Sequence, residues 1–184
     1  ANTLAPVYLV SGDDPLLMQE SCDAIRAAAR DRGFGERELF HASERNFDWQ
    51  RLLAAASALS LFATQKILEV RLPGGKPGDQ GSKALQQYCA APAADNLLLV
   101  ITAKLDRATL NSKWARALDQ AGVQVQIWPV GAAQLPQWIG VRLQRAGLRA
   151  SAEALAILAE RVEGNLLAAT QEIAKLALLA PPGE

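Results

Sequence analysis

The stretch VYLVSGDDPLLMQES, residues 7–21, poses the first chemical question. An apolar run from Val7 to Val10 breaks at Ser11-Gly12 and passes into an amphipathic pattern. Strand, glycine and helix in that order can wrap a phosphate, because glycine lets backbone N–H groups approach and the helix N-terminus favours negative charge. A working loop also needs a second glycine, a lysine and a Ser or Thr to hold Mg²⁺. Here Gly12 is followed by Asp13, Asp14, Pro15, Leu16 and Leu17, with no hydroxyl before Ser21. Two carboxylates repel a triphosphate. The stretch therefore reads as a degenerate phosphate loop, Gly12, Asp13 and Asp14, that keeps the scaffold and loses the ligand.

Other chemistries find little support. In an open α/β sheet, ligands sit beyond the carboxyl ends of the strands. The strand LEVRLPGG has Arg71 and Pro73 where an acidic pair could hold Mg²⁺, and Glu69 lies inside the strand. Thr102 ends the next strand, where either a polar sensor or an ordinary structural threonine fits. His41 is the sole histidine, so a multi-histidine metal site is excluded and any Ser-His-Asp set depends on it. It alternates with Phe40 on an edge-like strand and is expected to face solvent. Cys22 and Cys89 have no neighbouring base and are expected as buried, reduced thiols of a cytosolic protein. Asp13 and Asp14 could hold a cation, but capping of the following helix explains them as well. The expectation is no catalytic residue, no metal and no cofactor.

Composition sets the frame. The chain has 184 residues, half of them apolar, enough for one large domain or a domain plus a smaller one. Nineteen basic residues balance nineteen acidic ones, so no global basic field points to nucleic acid. No apolar run approaches the roughly 20 residues of a membrane-crossing helix, and no pattern of a secretory leader is seen. The chain begins at Ala1 without Met and ends LLAPPGE, so a trimmed piece with more chain beyond Glu184 is expected.

The elements follow from periodicity. Strands are expected at 7–12, 38–43, 66–72, 96–103 and 123–130, with the very apolar NLLLVITA fit for the centre of a parallel sheet. Helices are expected at 15–32, 47–60, 83–91 and 107–122, the first with Leu17, Ser21, Ala24, Ile25 and Ala28 on one face. Asp48 is a candidate cap for the second. PGGKPGDQGS, 73–82, with four Gly and two Pro, reads as an exposed, mobile loop. From Gly131 no further strand appears. Three amphipathic helices are separated by Gly147 and Gly164, with Ser151 and Asn165 as caps. Parallel strands joined by helical crossovers imply a three-layer α/β core over 1–131, followed by a helical domain over 132–184.

Two surface candidates remain. In SALSLFATQK, 57–66, Leu61 and Phe62 are consecutive and cannot share one helical face. Either one points outward as an anchor for a partner's pocket, or both close the core beneath the sheet. Lys104, Arg107, Lys113 and Arg116 gather around one loop and helix. They form either a solvated face or a phosphate-backbone contact.

The segments YLVSGDDPLLMQES, ALSLFA, NLLLVITAKL, AQLPQWI and EGNLLAATQEIAKLALL, in this order, together resemble the delta subunit of the bacterial DNA polymerase III clamp loader. The resemblance spans almost the whole chain. It implies an AAA+/RecA-like three-layer domain with a five-stranded parallel sheet and a small three-helix lid, with the family's third, collar domain absent. It implies no ATP hydrolysis by this subunit. In keeping with that, Leu167 follows Gly164-Asn165-Leu166 where AAA+ relatives carry a sensor arginine, and Gln120-Ala121-Gly122 stands where neighbouring loader subunits carry Ser-Arg-Cys. Bacterial clamp-binding segments resemble Gln-Leu-Ser-Leu-Phe, and Ala58-Leu59-Ser60-Leu61-Phe62 agrees at four positions, Ala58 departing. The implied role is to bind and open the sliding clamp (the beta subunit) during DNA replication. The implied setting is a cytoplasmic holoenzyme with DNA-directed DNA polymerase, hence nucleotidyltransferase, activity. The implied partners are the clamp, the gamma/tau and delta-prime subunits, and primed DNA, with no membrane. A degenerate nucleotide-binding enzyme is the rival reading.

Overall fold

The computed structural model describes residues 4–42, 47–58 and 65–179. Its contacts divide the chain into two compact units, Ala1–Asp13 with Leu17–Ile127, and Asp14–Leu16 with Trp128–Glu184.

The first unit is built on a five-stranded sheet of β1 (Val7–Ser11), β2 (Phe34–His41), β3 (Gln65–Leu72), β4 (Asn96–Thr102) and β5 (Val123–Gln126). The order is β2-β3-β4-β1-β5 and every pairing is parallel. The expected apolar strand, NLLLVIT, occupies the middle place. Its side chains alternate between two cores. Leu98 and Val100 join Val7, Leu9, Leu68, Val70 and Leu72 on one face. Leu97 and Leu99 join Val10 and Ile67 on the other. The first face is covered by α2 (Trp49–Ser57), α3 (Gly78–Ala90) and α5 (Lys113–Ala121), through Trp49, Leu52, Leu85, Tyr88, Trp114 and Leu118. The second is covered by α1 (Pro15–Arg30) through Cys22 and Ala29.

Several expectations shift. The stripe of α1 that packs on the sheet is Cys22 and Ala29, buried, with Met18 and Ile25, partly buried; of the expected face Ile25 belongs to it, while Leu17, Ser21 and Ala28 are half-buried beside it and Ala24 is exposed. An alanine-rich helix offers two apolar stripes of similar width, and packing on the sheet selects one. The Gly/Pro-rich loop is shorter than expected, because α3 begins at Gly78. Gly81 is helical and buried, and a Cβ there would lie 2.4 Å from Trp49 Cε2. This glycine permits close approach of two helices. The helix expected at 107–122 is broken into α4 (Arg107–Leu110) and α5, where Asn111 Nδ2 turns back to the Arg107 carbonyl at 2.8 Å. β5 ends at Gln126, short of Pro129, which has no N–H to give a ladder.

The second unit holds α6 (Leu135–Arg145), α7 (Ala152–Val162) and α8 (Leu166–Leu179). Leu135, Ile139, Leu143, Leu148, Val162, Leu166, Ala169 and Ile173 are its buried residues. Both expected caps form: Ser151 Oγ accepts the Ala154 N–H at 3.2 Å and Asn165 Oδ1 that of Ala168 at 3.0 Å. No described helix is long and apolar enough to cross a membrane.

Candidate functional site

At the carboxyl edge of the sheet, the groups around Gly12 are already engaged with neighbouring strands. The Gly12 N–H already donates to the Thr102 carbonyl at 3.3 Å. A Cβ at Gly12 would lie 2.6 Å from Ile127 Cβ and 3.1 Å from Met18 Sδ, so side chains fill the space beside this glycine. The Asp13 carboxylate accepts the Lys104 backbone N–H at 3.1 Å, which ties the β1 exit to the β4 exit. Asp14 begins the segment that leads into α1. Thr102 is buried, and its hydroxyl has no hydrogen-bond partner among the described residues. Leu167, in the first turn of α8, is exposed.

Glu69, inside β3, is fully buried on the α1 face and carries a charge network that the sequence did not reveal. Arg26 of α1 clasps it with two bonds, Nε to Oε2 at 2.9 Å and Nη2 to Oε1 at 3.0 Å. Arg71 Nε reaches Oε1 at 3.2 Å, and Arg37 Nη1 lies 3.7 Å from Oε2. Burial acts to raise the Glu69 pKa, but the bonds and charge of Arg26, with Arg71 and Arg37, outweigh it and hold the carboxyl below its ordinary value. Among three guanidiniums this carboxylate is a structural counter-ion. His41 is exposed on the edge strand, as expected. Cys22 is buried and Cys89 only half-buried; burial pushes their thiols up to about 11 and about 12.

At the opposite edge of the sheet lies the end of α2, where the expected run Ala58–Phe62 begins. α2 opens at Asp48, whose Oδ1 accepts the Gln50 N–H at 3.0 Å, and is fixed to the core by Trp49 and Leu52. It ends at Ala58, which turns extended (φ −75°, ψ 130°) while its N–H still reaches the Ala54 carbonyl. Ala58 is exposed. Leu59, Ser60, Leu61 and Phe62 lie outside the described residues. On their other side the chain resumes at Gln65, the first residue of β3. Two buried polar residues hold this end. Lys66 Nζ donates to the carbonyls of Ala55 and, at 2.9 Å, Ala58; Asn96 Nδ2 donates to that of Ala56 at 2.7 Å. The sequence reading missed both, although a Lys near the start of β3 and an Asn opening the otherwise apolar β4 are visible signals.

Lys104, Arg107, Lys113 and Arg116 are all exposed along the β4 exit, α4 and α5. Arg116 Nη2 donates to Asn111 Oδ1 at 2.9 Å, bracing the corner between the two helices. Lys113 and Arg116 also line an open groove of about 430 Å³ with Gln86, Cys89, Ala90 and Gln120.

The family model described as DNA polymerase III, delta subunit, matches residues 8–127. The chain belongs to the DNA polymerase III delta subunit family. DNA polymerase III subunit delta of Escherichia coli K12 is 37% identical over 181 residues, which is 98% of this chain and 52% of that protein. Its Haemophilus influenzae counterpart is 32% identical over 184 residues, 53% of that protein. The chain thus spans about half the length of the curated relatives it matches. Among solved structures, a Bacillus subtilis DNA clamp loader delta protein superposes with a TM-score of 0.68 at 22% identity, over 96% of this chain and 54% of that one. The Thermotoga maritima RuvB Holliday junction branch migration motor superposes at 0.56 with 11% identity, over 92% and 54%. At such identities the likeness is one of fold, and it agrees with the AAA+-like α/β architecture expected from the sequence.

Proposed function

We propose that this chain is the clamp-gripping part of a clamp-loader delta subunit, working mechanically rather than catalytically. Residues 1–131 act as a degenerate AAA+ body and 132–184 as its lid. The observation that carries the reading is the run Ala58-Leu59-Ser60-Leu61-Phe62 in a chain of the delta family. In this reading Leu61 and Phe62 enter an apolar pocket on the sliding clamp, with Leu59 and Ser60 beside them. Each large side chain contributes roughly 1.5–3 kcal/mol when fully buried. The α/β body behind them favours a clamp conformation whose ring interface is open; it shifts that equilibrium only by its differential affinity for the two states. The filled space beside Gly12 and the Asp13–Lys104 tie support a subunit that does not itself hydrolyse ATP. The gamma/tau and delta-prime subunits join through a domain beyond this chain. Primed DNA meets the assembly near Lys104, Arg107, Lys113 and Arg116, and the work takes place in the cytoplasm, as part of a polymerase holoenzyme.

The test is calorimetric. Leu61→Ala with Phe62→Ala is expected to abolish binding to purified sliding clamp while the far-ultraviolet circular dichroism stays that of the parent. An affinity equal to the parent's refutes the assignment.

A further inference from the structure

We propose that Lys66 and Asn96 are positioning residues for the interaction run, fixing the helix end from which Ala58–Phe62 departs; the proposal rests on the clamp reading above. The two stand directly opposite each other in the β3–β4 register. Lys66 is the second residue of β3 and Asn96 the first of β4, both on the face that α2 covers, and they are 7% and 3% exposed.

A helix leaves its last carbonyls without helical partners. At the end of α2, Ala54 is served by the Ala58 N–H. Ala55 and Ala58 are served by Lys66, and Ala56 by Asn96. Helices commonly finish this with a left-handed Gly or Asn, a local device that orients nothing beyond itself. Here the partners come from two different strands, and burying a lysine to reach them carries a desolvation cost. What this arrangement gains is direction. The Ala58 carbonyl belongs to the peptide group that opens the run, and Lys66 pins it to the sheet. Holding the Ala58 peptide before encounter leaves less conformational freedom to lose on docking.

The experiment measures sliding-clamp affinity by surface plasmon resonance and follows amide exchange over residues 54–62. Lys66→Met keeps the stem and removes the donor; Asn96→Ala removes only the Ala56 bond. Lys66→Met is expected to weaken clamp binding by about tenfold, and both variants to speed exchange in that segment. Leu118→Ala, on the buried face of α5, serves as a destabilised control and should keep the parent's affinity. Parental affinity in both variants, or an equal loss in Leu118→Ala, overturns the positioning role. If Lys66→Met does not fold, Asn96→Ala decides. Should Leu61→Ala/Phe62→Ala still bind the clamp, the clamp reading itself falls; should that double variant fail to bind while Lys66→Met and Asn96→Ala bind normally, only the positioning role falls.

Discussion

At the scale of single residues, the strongest electrostatic commitment is Glu69. Its carboxylate is buried against the α1 face and shared by Arg26, Arg71 and Arg37. Without Glu69, Arg26 keeps Asp23 at 2.6 Å and Arg37 and Arg71 are half-exposed, so what is lost is the hydrogen bonding to a charged carboxylate. Glu69→Gln is therefore expected to lose about 1.5–3 kcal/mol in urea unfolding. The pH dependence has a definite sign. A carboxyl whose folded pKa lies below its ordinary value of 4.5 contributes stability fully above that value, and the contribution disappears as pH falls through the folded pKa. The parent should lose stability on acidification below about pH 4.5, and the Gln variant should show a flatter acid limb. An unaltered limb in the variant would mean that other carboxyls carry the acid sensitivity.

At the scale of elements, Gly81 shows how sequence and packing divide the work. A glycine in a Gly/Pro-rich stretch reads as loop, yet here it lets α3 approach Trp49 of α2. Gly81→Ala places a methyl 2.4 Å from an indole carbon held in the core. Overpacking of this kind costs about 1–3 kcal/mol, and a lower melting temperature with quenched or shifted Trp fluorescence would report it. A variant as stable as the parent would show that α2 and α3 can separate freely. The same contrast marks what was legible in the sequence. Strand β4 could be placed at the sheet centre because seven consecutive positions lack charge. The caps Asp48, Ser151 and Asn165 were readable because their chemistry is local. The face of α1, the start of α3 and the Arg26–Glu69 pair were not, because each depends on a neighbour tens of residues away. The asparagine beneath α2 escaped for the same reason, since Asn96 meets a carbonyl 40 residues earlier, while Lys66 reaches back only 8 and 11 residues but across the break between a helix and a strand.

At the scale of the whole molecule, charge bears on the DNA contact proposed above. Formal net charge is zero, so the chain has no general field to draw in a polyanion. A contact with primed DNA would have to come from a local group, and the proposal assigns it to Lys104, Arg107, Lys113 and Arg116, all at exposed positions. Asn111 holds both Arg116 and the α4 backbone, so the corner between α4 and α5 is braced rather than free to rearrange. Contacts of this type act through counterion release, each adding nearly one to the slope of log affinity against log salt. In the assembled loader on primed DNA, Lys113→Gln with Arg116→Gln should lower that slope by about two and weaken binding evenly across sequences. Clamp affinity should stay at the parental value, because α2 ends, at Ala58, on the other edge of the sheet. An unchanged salt slope would move the DNA contact to other subunits. A simultaneous loss of clamp affinity would mean that the two edges are energetically coupled through the body between them.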